Sequence, residues 1–178
     1  AMMYEYDFDW IAAEREYKRA IELSPNLDFA RNNYGFFLSV MGRQTEALSE
    51  LEEQRVRDPL NLRLILLHKA IVLVQARRFD DALAAYREAQ AIDPTKNVPN
   101  SALGYAYAGK GLYNEAAGYY KKSVDLLGGE DKYSQSLVYL AATYARMSEK
   151  RTEARAILSR IEATSRYASP ALLAVVYT

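Results

Sequence analysis

The side chains that could do chemistry in this chain are few and scattered. His68 is the only histidine and there is no cysteine, which excludes thiolate metal sites, thiol nucleophiles and disulfides. A lone imidazole among leucines, on a stretch with helical periodicity, reads as a packing or groove residue. Three acidic pairs, Glu52-Glu53, Asp80-Asp81 and Glu130-Asp131, could attract a cation. None has the ligand spacing of a calcium loop. Each falls at a helix start or on an exposed face, where carboxylates complement the helix dipole or stay solvated. Gly109-Lys110-Gly111 could suggest a phosphate cradle, but such a loop follows a strand, and no stretch here reads as one. It reads as a turn between two helices. Tyrosine is the outlier, with 15 against 5 phenylalanines. Aromatics stack nucleobases beside basic side chains, and no basic stripe accompanies these. The reading is therefore a non-enzyme with no catalytic, cofactor-binding or metal-binding residues.

Composition narrows the class further. Lysine plus arginine equals aspartate plus glutamate at 23 each, so no net field draws the chain to nucleic acid or an anionic membrane. Half of its 178 residues are apolar, enough for the core of one domain or one continuous array. No apolar stretch approaches the roughly 20 residues of a membrane span. Cysteine usage leaves cytoplasm and periplasm both open. The start, Ala1-Met2-Met3 running into an acidic and aromatic segment, has no basic n-region, and the expected compartment is the cytoplasm.

The elements show themselves as a period. Ala13, Ala47, Ala82 and Ala116 are spaced by 34, 35 and 34 residues, and Ala154 follows after 38. Four residues after each alanine comes a bulky side chain: Tyr17, Leu51, Tyr86, Tyr120 and Leu158. Three further on there is often a small one, Ala20, Ala89 or Ser123. Twelve residues after the alanine stands Pro25, Pro59 or Pro94. Twelve before it stands a small residue, Gly35, Ala70, Gly104 or Ala142. Two antiparallel helices cross closely only where both contribute small side chains, so the small residue of a first helix, A, should face the alanine of a second, B. Proline past helix B cannot continue it and turns the chain into the next helix A.

On these residues the chain resembles the tetratricopeptide repeat family, and Gly104 through Ala117 is especially similar to its pattern. The resemblance implies an all-α, right-handed superhelical solenoid of antiparallel helix pairs. One array should fill residues 1–178: a half repeat over 9–25 capped by Asp9 or Asp7, full repeats over 28–59, 60–94, 95–128 and 133–166, and a partial repeat over 170–178. Gln54 stands where a small residue is usual, and Gly128 and Arg166 stand where prolines would be. Ala1 before two methionines, and an array that starts and stops in mid-repeat, lead us to expect a segment of a longer protein. Trp10, Ile11, Leu172, Leu173, Val175 and Val176 should then be exposed at its open ends.

The resemblance also nominates a binding face, because the A helices of such arrays line the concave side. In register these positions are Phe29, Asn32, Phe36 and Val40; Leu64, Leu67, Ile71, Val74 and Gln75; Val98, Ser101 and Tyr105; and Ser136, Tyr139, Thr143 and Arg146. The first two sets are mostly apolar, and an apolar stripe is costly to leave wet. The family's clamp for C-terminal carboxylates needs basic groups here, and only Asn32 matches it. The expected ligand is an apolar helix or extended segment of a protein or peptide, with Asn32 and Arg146 as polar anchors. Occupation by the protein's own further residues or by a second copy stays open, and a homo-oligomer is expected. Finally, Tyr6 through Asn26 and Ser165 through Tyr177 are similar to repeats in the C-terminal halves of bacterial winged-helix transcriptional activators and class III adenylate cyclases. That similarity implies a regulatory, self-associating module of a signalling or transcription regulator. The alternative is a free-standing scaffold or chaperone-like adaptor.

Overall fold

The computed structural model describes residues 9–24, 28–96, 98–126 and 135–164, with the backbone alone at positions 28, 29 and 164. Among the described residues every regular element is a helix. The chain divides into two compact units, Ala1–Lys96 and Asn97–Thr178.

The first unit contains α1 (Trp10–Leu23), α2 (Asp28–Val40), α3 (Gln44–Arg57), α4 (Leu62–Gln75) and α5 (Phe79–Ile92). Asp9 is the cap of α1: its Oδ1 accepts from the backbone N–H of Ala12 at 3.0 Å, satisfying one of the helix's orphan donors. Pro59 opens a short 3-10 turn, Pro59–Asn61, between α3 and α4. The core joins Tyr17, Tyr34, Phe37, Leu38, Leu51, Ile65 and Val72, with Trp10 packed against its edge. Trp10 is thus half-buried, its ring 6.4 Å from that of Phe37. Of the expected exposed end residues only Ile11 is bare; Leu172, Leu173, Val175 and Val176 lie outside the described residues.

The second unit contains α6 (Asn100–Gly109), α7 (Tyr113–Leu126), α8 (Gln135–Ala145) and α9 (Arg151–Thr164). Its core sets Ala116, Ala117, Tyr120 and Leu140 against Tyr107, Tyr139 and Tyr144, and Val124 and Leu137 against Ile161.

The period is a burial pattern. Ala13, Ala47, Ala82, Ala116 and Ala154 are all fully buried, and so are Tyr17, Leu51, Tyr86, Tyr120 and Leu158. The small residue of helix A has a second neighbour beside the one expected. A Cβ built on Gly104 would meet the ring of Tyr120, and one on Gly35 would lie 3.7 Å from both the Ala47 carbonyl and Leu51 Cγ. The glycine makes room for the bulky residue one turn beyond the alanine as much as for the alanine itself.

Three A-to-B turns share one backbone device. Gly42 (φ 78°), Arg77 (φ 59°) and Gly111 (φ 76°) take left-handed conformations. The next amide, of Arg43, Arg78 or Leu112, donates to the carbonyl of Leu38, Leu73 or Tyr107 at 2.8, 2.8 and 3.0 Å. This six-to-one bond closes the end of each A helix. Gly109-Lys110-Gly111 is accordingly a turn, with Gly109 ending α6.

The last hairpin departs from the pattern. A 3-10 turn, Ser148–Lys150, lengthens the link between α8 and α9. With it the register moves by one residue: Ala141 is fully buried at the helix A position, while Ala142 is only half-buried.

Candidate binding groove

In the first unit, α2 and α4 pack side by side and present the nominated residues. Phe36 is 50% exposed, Val40 56% and Leu64 43%. Leu67, Ile71 and Val74 are half-buried, and Gln75 is exposed. For Phe29 only the backbone is described. A pocket of about 200 Å³ opens between the helices, lined by Asn32, Asn33, Phe36, Leu51, His68, Ile71 and Val72.

Two polar contacts tie α2 to α4 across this face. His68 Nδ1 lies 2.8 Å from Asn32 Oδ1, and the hydroxyl of Ser39 donates to Oε1 of Gln75. The contacts stand seven residues apart on each helix, two turns, which places Phe36 and Ile71 between them. Because an amide oxygen only accepts, Nδ1 of His68 carries the proton in this pair. Asn32, expected as an anchor for the ligand, therefore has its oxygen engaged within the protein. His68, read from the sequence as a packing or groove residue but not placed among the nominated positions, lines this pocket; its spacing carried the signal, four residues after Leu64 and three before Ile71, inside the same stripe. Burial alone pushes its pKa below the ordinary histidine value.

The second unit corrects several expectations. Val98, Ser136 and Thr143 are buried and cannot meet a ligand. Ser136 shares a hydrogen bond of 2.8 Å with Ser123, and the Thr143 hydroxyl donates to the carbonyl of Tyr139 at 2.7 Å. For Ser136 and Thr143 the cause is the one-residue register change in α8, which turns them inward. Tyr139 is drawn toward the core, its ring 5.6 Å from that of Tyr120 and edge-on to Tyr105 at 5.8 Å. Tyr105 and Arg146 remain exposed and Ser101 is half-buried.

The acidic pairs are occupied by cations of the chain itself where they are described. Glu52 pairs with Arg55, Glu53 with Arg31 and Asp81 with Arg78; Glu130-Asp131 lies outside the described residues. Among the described residues no cluster of three or more His, Cys, Asp or Glu could hold a metal ion. No described helix is long and apolar enough to cross a membrane.

Solved structures share this arrangement. A tetratricopeptide repeat protein from Parabacteroides merdae superimposes with a TM-score of 0.79 at 13% identity, covering 98% of this chain and 66% of that one. The fold is that of a tetratricopeptide repeat array. PilW, a type IV pilus biogenesis factor, has this tetratricopeptide arrangement at a TM-score of 0.78 and 20% identity, over 99% of this chain and 79% of that one. MamA from Desulfovibrio magneticus RS-1 follows at 0.67 and 18%, over 91% and 89%. No protein-family model matches the sequence, and no curated protein does. At these identities the likeness carries the tetratricopeptide fold and not a partner.

Proposed function

We propose that this chain is a protein-interaction module whose α2–α4 face receives an apolar helix or extended segment of a partner. The observation that supports the reading is the exposed row of Phe36, Val40 and Leu64 on neighbouring A helices, with no charged residue among the nominated positions of this unit. Exposed apolar rows of this kind mark interaction sites, and a helix laid in a groove is read by such anchors. A carboxylate-gripping face would need cations here.

The wider setting we propose is the regulatory, self-associating half of a bacterial signalling or transcription regulator. It rests on the resemblance of Tyr6–Asn26 and Ser165–Tyr177 to repeats of such proteins. A free-standing scaffold or adaptor is the second reading. The native gene upstream of Met2 separates the two: a winged-helix or cyclase domain encoded there rules out the adaptor. Light scattering tests self-association, and a clean monomer at high concentration counts against it.

Binding is tested by fluorescence polarisation with apolar peptides and with acidic-tailed peptides. Apolar peptides should bind. Phe36→Asp or Leu67→Asp should cost more than about 2 kcal/mol of affinity, roughly thirtyfold, with circular dichroism unchanged. Tight binding of the acidic-tailed set would sink the reading.

A further inference from the structure

The pocket between α2 and α4 has a composition that selects its occupant. Its volume of about 200 Å³ falls below the roughly 300–1,000 Å³ of small-molecule sites. It is nearer the cavity of about 150 Å³ that accommodates one benzene. There is room for one side chain. The walls are Phe36, Leu51, Ile71 and Val72, with Asn32, Asn33 and His68 as the polar members, and none of these seven is a carboxylate or a fixed cation.

The charged groups of the packed helices are turned to other work. Arg31 of α2 is held by Glu50 and Glu53 of α3. Lys69 of α4 lines a second groove, together with Glu52 and Arg55 of α3, Arg78 just before α5, and Asp81 and Glu88 of α5. Burial is what lowers the pKa of His68 among the described residues.

We propose that this pocket seats one uncharged aromatic or branched side chain of the bound segment, and that His68 couples the seating to pH so that acidification expels it. The proposal rests on the groove reading above and adds to it the chemistry of one subsite and its control. At neutral pH the His68 ring donates through Nδ1 to Asn32 and carries no charge, so an apolar ring laid over it costs little. Once protonated, the same ring would be a cation desolvated by the occupant, its Nδ1 against a neutral amide oxygen, and burying such a charge is expensive. Protonation and apolar occupancy therefore oppose one another. By linkage the occupant lowers the affinity of His68 for its proton as much as the proton lowers the affinity for the occupant. An occupant bearing a carboxylate would do the reverse, because an opposite charge favours imidazolium.

His68 is the only histidine, so its imidazole C–H signals stand alone in a proton NMR spectrum of the whole chain. The probes are N-acetyl-L-phenylalaninamide, which is neutral, and N-acetyl-L-phenylalanine, which carries a carboxylate. The neutral probe should move the His68 signals, lower their titration midpoint, and bind less tightly at about pH 5.5 than at about pH 7.5. The weakening should approach about tenfold for each unit by which the midpoint falls. His68→Gln, which keeps a neutral hydrogen-bonding side chain, should bind the neutral probe equally at both pH values. Tighter binding of the carboxylate probe with a raised midpoint would overturn the proposal, as would His68 signals that neither probe moves. If apolar peptides bind in a Phe36-dependent manner while the His68 midpoint stays fixed, the proposal falls and the groove reading stands. If the neutral probe behaves as described and no peptide binds, the groove reading falls, and with it the assignment of the occupant to a bound segment, while the coupling of His68 to an uncharged occupant stands.

Discussion

A Cβ placed on Gly104 would stand 2.8 Å from Cε1 of Tyr120, a ring that is fully buried. The absence of a side chain at Gly104 is thus what allows α6 and α7 to approach. Gly104→Ala gains about 1 kcal/mol of helix propensity, but overpacking a filled core costs about 1–3 kcal/mol. The expected outcome is net destabilisation, read as a lower urea midpoint. Gly118, in the interior of α7, has nothing within 4 Å of its would-be Cβ. Gly118→Ala should accordingly stabilise by about 0.5–1 kcal/mol. Opposite signs at two glycines of one hairpin test the packing directly.

Arg77 occupies the left-handed turn position that Gly42 and Gly111 fill in the neighbouring hairpins. Its side chain lies over the ring of Phe79 at 5.6 Å, which returns part of the cost. A left-handed backbone costs a non-glycine residue about 1–2 kcal/mol, and an exposed cation–π contact contributes about 0.5–1 kcal/mol. Arg77→Gly should therefore raise the melting temperature slightly, by up to about 1 kcal/mol of stability. Phe79→Ala in the same background should have little effect through the lost stacking, since the cation is already gone.

The contrast between these turns shows where sequence reading reaches and where it stops. Gly111 announced its turn because glycine is the residue such a φ demands; nothing about arginine announces the same φ at position 77. The alanine period gave away the helix crossings because burial at a close approach admits few side chains. The register change in α8 was invisible, since the 3-10 turn Ser148–Lys150 carries neither glycine nor proline. Ser136 and Thr143 were misplaced for that reason. The Asn32–His68 contact joins residues 36 apart in sequence, and only the packing of α2 on α4 could reveal it.

Gln54 is 1% exposed, and neither its amide oxygen nor its amide nitrogen meets a partner among the described residues. It holds the position where three of the other repeats place Ala20, Ala89 and Ser123. An unsatisfied buried amide costs about 1–3 kcal/mol, whereas methionine has nearly the same length and shape and no polar group to desolvate. Gln54→Met should stabilise the first unit by about 1 kcal/mol, visible as a higher urea midpoint. A lower midpoint would mean that the amide is satisfied by bound water.

Glu14 gathers three donors at the junction of α1 with the rest of its unit. Arg43 Nη1 reaches Oε2 at 2.8 Å, while Lys18 Nζ at 2.8 Å and the Tyr34 hydroxyl at 3.1 Å reach Oε1. The hydrogen bond from Arg43, then that from Lys18, holds the carboxyl well below its ordinary value, at about 2. A carboxylate whose folded pKa is depressed stabilises the fold above its unfolded pKa and loses that contribution as the pH falls through the folded value. Stability should therefore drop between about pH 4.5 and pH 2. Since the carboxylate is partly solvated, its contribution at pH 7 is about 1–2 kcal/mol. Glu14→Gln should lower the urea midpoint at pH 7 and flatten its decline in acid. Because Arg43 also grips Glu46 at 2.6 Å, whereas Lys18 of α1 has its contacts with Glu14 and Tyr34, Lys18 should matter less than Arg43. An equal loss from Lys18→Met and Arg43→Met would show that the carboxylate, not the bridge from α1 to the start of α3, carries the effect.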